Sequence, residues 1–282
     1  MSSDSRVAVL AAAALLACAT TISTTAATAP DTRPAGLRVC ADPNNLPFSN
    51  DRGEGFENRL AHLIAHDLGR ELSYTWWPQR RGFIRNTLKA GVCDAVMGVP
   101  ANFELALVTA PYYRSSYVFV TRRDRHLRIA SLDDPRLRTL RIGLHTIGDD
   151  YANVPPAEAL AARGIVDNIV GYSIYGDYSQ PDPPRRLIDA LARGEVDVAI
   201  AWGPLAGYLA RRESVALEVF PVSTGGMPVV PMAFDISVGV RRGDAALQTA
   251  IEEVLVRRRL DVRKLLLSYG VPLVDPQSES RT

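Results

Sequence analysis

Lysine is almost missing from this 282-residue chain: of 32 basic residues, all but Lys89 and Lys264 are arginine. Acidic residues nearly cancel them, leaving a net charge of +1, and no long run of one sign occurs. A nucleic acid needs a concentrated basic face, so that class of partner is excluded. Arginine suits bidentate anion recognition, but its excess here is read as the imprint of GC-rich coding. Histidine numbers four and cysteine three, and neither shows zinc-ligand spacing. There is no G-x-S-x-G, phosphate loop or dinucleotide fingerprint. The reading is therefore a non-enzyme, with no catalytic residue, no metal and no cofactor. His62 and His66 stand one helical turn apart but fall opposite an apolar stripe, as a solvated face does. Apolar runs long enough to span a bilayer are also lacking, which excludes a transmembrane helix.

The first residues, "MSSDSRVAVLAAAALLACATTISTTAATAP", hold one basic residue, Arg6, an apolar run from Val7 to Ala19 and then small residues. Residues 1–29 read as a bacterial export signal, and the compartment as the periplasm. Cleavage near Ala26 to Ala29 is expected rather than lipidation at Cys18, because the second position of that box is a bulky leucine. Only Cys40 and Cys93 remain in the mature chain. An oxidising compartment permits a disulfide between them. Cys40 late in one strand and Cys93 early in its neighbour is a placement that can hold the sulfurs out of reach, so a disulfide and two small buried hydrophobes both stay open.

Along the mature chain, strand and helix signals alternate. "LRVCAD" is a short strand closed by the turn-forming "PNNLPF". Phe56, Leu60, Leu63, Ile64 and Leu68 then recur at helical spacing, with Gly69 at the C-terminal cap. "LSYTWW" is a strand, and Phe83, Ile84, Thr87 and Leu88 predict a second helix that Gly91 ends before the strand "CDAVMGV". This βαβαβ order calls for a parallel sheet covered by helices. The unit returns: "LKAGVCDAVMGVP" and "LARGEVDVAIAWGP" share Leu88/Leu191, Gly91/Gly194 and Asp94/Asp197. Two α/β lobes are expected, residues 37–123 with 233–275 and residues 124–232, joined by a two-crossing hinge; 276–282 form a tail.

In open α/β sheets ligands sit beyond the carboxyl ends of the strands. The loops Asp42 to Phe48, Trp76 to Gly82, Gly98 to Asn102, His145 to Asp150 and Trp202 to Pro204 should therefore face one cleft. Candidate cleft residues are Asp42, Asn44, Asn45, Trp76, Trp77, Arg80, Arg81, Val99, Asn102, Tyr112, Thr146, Asp149, Tyr172, Tyr175 and Trp202. Aromatic and guanidinium groups at the mouth suit a planar or apolar partner. Alternation sends Trp76 and Trp77 to opposite faces, one of them into packing.

The stretches "LRVCADPNNLPFSN", "GFENRLAHLIAHDLGRELSYTWWPQRRGFIRNTL", "PYYRSSYVFVTRRD", "GYSIYGDYSQPDPPRRLIDALARGEVDVAIAWGP" and "FDISVGVRRGDAAL" resemble the quinoprotein dehydrogenase-associated family of periplasmic solute-binding-like proteins. This is the MoxJ/XoxJ type, found with PQQ-dependent methanol and other alcohol dehydrogenases. The resemblance runs from Leu37 to Asp275. It implies a type II periplasmic-binding-protein fold and a role in maturing or supporting such a dehydrogenase as partner. The alternative it leaves is the substrate-binding subunit of an ABC importer for a small-molecule ligand. Amino-acid-binding relatives carry an arginine ahead of the strand that "VTAPYY" matches; Asn102 stands there instead, and an amide cannot form the bidentate charged grip on a carboxylate. A free amino acid is not the expected ligand.

Overall fold

The computed structural model describes residues 36–146, 154–173, 182–224 and 230–275. The export signal, Asp149, Tyr175 and the C-terminal tail lie outside the described residues. In chain order the described elements begin with strand β1 (Gly36–Ala41), the two-residue pair β2 (Asn44–Asn45) and β3 (Ser49–Asn50), helix α1 (Phe56–Asp67) and β4 (Glu71–Trp76). There follow α2 (Phe83–Asn86), β5 (Ala95–Pro100), β6 (Leu107–Val108), β7 (Tyr113–Arg122), β8 (Ile142–Thr146), α3 (Pro155–Ala161) and β9 (Ile169–Ser173). The chain continues through α4 (Arg186–Arg193), β10 (Val198–Trp202), α5 (Gly203–Ala210), β11 (Leu217–Pro221), β12 (Ala233–Val240), α6 (Ala245–Arg257) and α7 (Arg259–Ser268).

Apart from β2 and β3, which pair with each other, the described strands form one mixed sheet in the order β4-β1-β5-β12-β7-β10-β8-β9, with β6 on β12 and β11 on β7. β1 runs parallel to β4 and β5, and β8 parallel to β9 and β10, as βαβ connections require. Between these parallel groups, β7 and β12 pair antiparallel, Ser116 opposite Ala233 through Tyr113 opposite Ile236. The second half of β7 pairs with β10 on one side and β11 on the other. One apolar cluster gathers Leu37, Phe56, Leu60, Ile64, Val238, Ile251 and Leu266, so α6 and α7 pack with α1 on the first parallel group. Others gather Phe119, Leu144, Leu160 and Ile200, and Leu187, Leu191, Ala199 and Leu205, around the second.

The repeat seen in the sequence has a structural counterpart. Arg38 donates to Asp94 through Nη2 at 2.7 Å and Nε at 3.0 Å; Arg141 donates to Asp197 through the same two atoms, both at 3.2 Å. In each pair the arginine backbone N–H also reaches the carboxylate, and the aspartate lies 56 residues on. Gly91 and Gly194 end the preceding helical turns with φ of 75° and 76°, a left-handed conformation that glycine adopts without a Cβ clash.

One expectation is corrected, and one question the sequence left open is decided. The second helix is only the single turn of α2, because buried Thr87 turns its hydroxyl back onto the Phe83 carbonyl at 2.6 Å and leaves helical geometry. Cys40 and Cys93 form a disulfide, with Cα atoms 5.6 Å apart. Cys93 lies ahead of β5 rather than inside it, in a loop whose Val92 carbonyl accepts from the Thr75 hydroxyl at 3.1 Å, and this brings the sulfurs within reach. The bond closes a separation of 53 residues, so replacing both cysteines by alanine should cost about 2–4 kcal/mol in denaturant unfolding. A second test is Gly207→Ala: a Cβ there would lie 2.0 Å from the Gly270 carbonyl oxygen. Despite the helix propensity alanine gains, the variant should lose about 1–3 kcal/mol and melt several degrees lower.

Candidate functional site

The carboxyl ends of the strands open onto a cavity of about 490 Å³, a volume typical of small-molecule sites. Its floor is one face of three adjacent strands. Alternation along β7 sends Tyr113 and Tyr117 there, along β12 Phe234 and Ile236, and β10 ends in Trp202, opposite Tyr117 in register. The Tyr117, Trp202 and Phe234 rings lie 5.4 to 6.4 Å apart, inclined to one another by 62 to 79°.

Asp42, at the end of β1, is buried and organises one wall. Its carboxylate accepts from the backbone N–H of Asn44 at 2.8 Å and of Gln79 at 2.6 Å, fixing the loops after β1 and β4 against each other. Asn45 reaches Gln79 at 3.1 Å, and Asn44 accepts from the Asp182 backbone at 2.9 Å, joining this wall to the Pro183–Pro184 turn opposite. His145, at the end of β8, holds that turn: its Nε2 donates to the Pro184 carbonyl at 3.0 Å. Burial pushes its pKa down to about 4, so the ring is neutral around pH 7.

Glu57 projects from the first turn of α1. Carbonyls of Pro47 and Phe48 accept from the backbone N–H groups of Phe56 and Glu57, which locks the helix start. Gly55 is required for that contact, since a Cβ would stand 2.0 Å from the Phe48 oxygen. The carboxyl reaches the cavity beneath Gly98, whose φ is 70° and where a Cβ would meet Oε1 at 2.1 Å. Burial, helped by the charge of Asp42, pushes its pKa up to about 8, so it holds its proton at neutrality. Among the described residues that line the cavity, none is a lysine or arginine.

Of the sequence-predicted residues, Asp42, Asn44, Asn45 and Trp202 meet at this cavity. Val99 is corrected by one position: the strand period puts Gly98 and Pro100 on the cavity and Val99 in a core cluster with Cys40 and Phe83. Trp76 stacks on Tyr74 at 4.5 Å, whereas Trp77 is 37% exposed, as the alternation requires. Arg80, Arg81 and Asn102 are exposed and outside the lining. Tyr112 packs on Tyr113 at 4.9 Å, Tyr172 lies over Gly143, and Thr146 sits against Gly171. Arg114 pairs with Asp235 at 2.7 Å. Glu57, Tyr113, Tyr117 and Phe234 are the residues that sequence reasoning missed; the period-two spacing of Tyr113 and Tyr117 was the available signal.

A mixed sheet crossed by two antiparallel strands, with its cavity at the strand ends, is the type II periplasmic-binding-protein fold. The crystal structure of periplasmic binding protein XoxJ from Methylobacterium extorquens AM1 superposes with a TM-score of 0.70 at 36% identity, over 85% of this chain and 99% of that one. MxaJ from Methlophaga aminisulfidivorans MPT gives 0.70 at 25% identity, over 84% of this chain and 100% of that one. Protein MoxJ of Methylorubrum extorquens is 33% identical over 253 residues, 84% of this chain and 81% of the relative. The chain belongs to the MoxJ family. No protein-family model matches it.

The two neutral groups have opposite linkage. Folded Glu57 keeps a proton that the unfolded chain loses, so stability relative to Glu57→Gln falls as pH rises from about 4.5 to about 8. His145 behaves conversely, and stability relative to His145→Gln falls as pH drops from about 6.5 to about 4. Denaturant unfolding of the three proteins across this range measures both slopes.

Proposed function

We propose that this chain is a non-enzymatic periplasmic protein that supports the maturation or activation of a PQQ-dependent methanol or other alcohol dehydrogenase. Membership of the MoxJ family carries this reading. It is consistent with the absence, among the described residues, of any helix long and apolar enough to cross a membrane. Residues 37–123 with 233–275 form one lobe and 124–232 the other in this proposal, and the partner docks on the strand-end face. Exposed Trp77, with Arg80 and Arg81 beside it, supplies an aromatic and guanidinium anchor of the kind that dominates protein interfaces. The importer reading keeps one observation in its favour, a cavity of small-molecule size.

Association of the purified protein with the purified dehydrogenase tests the proposal. The double variant Trp77→Ala/Arg81→Ala should keep the circular dichroism of the wild type and bind more weakly, each truncation costing roughly 1–3 kcal/mol. Deleting the gene should also lower active dehydrogenase in the periplasm. Absence of both association and a deletion effect rejects the accessory role and leaves the importer.

A further inference from the structure

Glu57 is half-buried, its carboxyl lies under Gly98 on the cavity lining, and its side chain makes no hydrogen bond or ion pair with any described residue. Polar groups drawn partly out of water are ordinarily satisfied, so one left unpaired and facing a cavity marks where a ligand group belongs. The titratable groups near it are all acidic or phenolic: Asp42 from the loop after β1, Tyr74 from β4, Tyr112 just ahead of β7 and Tyr113 at its start. His145 on the same cavity is committed to Pro184 and uncharged. The wall thus offers a ligand negative charge and no positive side chain.

Beside this carboxyl stand the three mutually inclined rings of Tyr117, Trp202 and Phe234, all on the lining. Aromatic faces attract cations through their quadrupole, most strongly where water is excluded, and inclined rings near a carboxylate are how proteins hold alkylated ammonium groups. An anion would meet the carboxylate of Asp42, with no positive side chain among the described lining residues to offset it. A neutral ligand would leave Glu57 as it is, whereas a cation supplies its counter-charge. We propose that the cavity binds a small organic cation, its ammonium group held against the Tyr117, Trp202 and Phe234 rings with Glu57 as counter-ion. The inference concerns the cavity alone and stands or falls independently of the dehydrogenase reading, which is tested on the exposed Trp77 loop.

Binding must release the Glu57 proton to the solvent, and that gives the proposal a signature. Titration calorimetry of the whole secreted protein with choline, and with its uncharged carbon isostere 3,3-dimethylbutan-1-ol, reads it out. Choline should bind at least tenfold more tightly than the isostere. Repeating the titration in buffers of different ionisation enthalpy should show close to one proton released per choline at pH 7. Affinity should rise about tenfold from about pH 7 to about pH 9, as the ionised fraction of Glu57 grows. Glu57→Gln should abolish the proton release and the pH dependence, while Trp202→Leu should weaken choline and keep the proton release. Equal binding of choline and its isostere, choline binding without proton release, or no choline binding at millimolar concentration by folded wild-type protein would each overturn the proposal.

Discussion

Strand β7 is the constraint on which the rest of the architecture depends. Its first four residues complete a ladder with β12, and the next residues complete ladders with β10 and β11. The same ten residues therefore close two parallel groups that do not otherwise share a strand neighbour. The C-terminal segment adds to it, since Ser115 donates to the Pro272 carbonyl at 2.6 Å and Val274 to the Arg114 carbonyl at 3.0 Å. Because side chains alternate along a strand, this shared strand also decides what the cavity floor is made of. A one-residue slip of β7 would withdraw Tyr113 and Tyr117 and present Arg114 and Ser116 instead.

The cavity's chemistry follows from what its walls spend elsewhere. Asp42 is engaged with backbone N–H groups, and His145 with a carbonyl, so both serve to hold loops in place. The arginines near the mouth are either exposed or paired, as Arg114 is with Asp235. With Asn102 exposed in the turn after β5, the arginine grip of amino-acid-binding relatives has no counterpart on the lining. What remains uncommitted on the described lining is mostly apolar and aromatic surface, with the proton-bearing carboxyl of Glu57.

Much of this was legible in the sequence because it depends on local pattern. The strand-end rule located the loops of Asp42, Gln79, Gly98, His145 and Trp202, which do converge. The repeated Leu, Gly and Asp positions marked equivalent turns. What stayed hidden depends on contacts between distant segments. Glu57 reads as an ordinary first-turn acid of a helix; only the absent Cβ of Gly98, on a strand far along the chain, reveals that it faces a cavity. Phe234 and Ile236 carry a visible alternation, but their floor position needs the pairing of β12 with β7. The single-turn α2 escapes the sequence, and the Cys40–Cys93 pairing stays open there, for the same reason: loop geometry between elements is set by side-chain-to-backbone bonds such as that of Thr87, which periodicity does not encode.

The paired Arg38–Asp94 and Arg141–Asp197 clasps have a consequence for how such a protein changes over time. Each clasp fastens the entry of a first strand to the entry of a later one, at the end away from the cavity. Four residues along from the two arginines stand Asp42 and His145, corresponding places on the two strands that carry different chemistry. A frame held at its base by two like clasps leaves its rims free to differ. The strand-end residues can be exchanged for new chemistry while the clasps keep the strands in register.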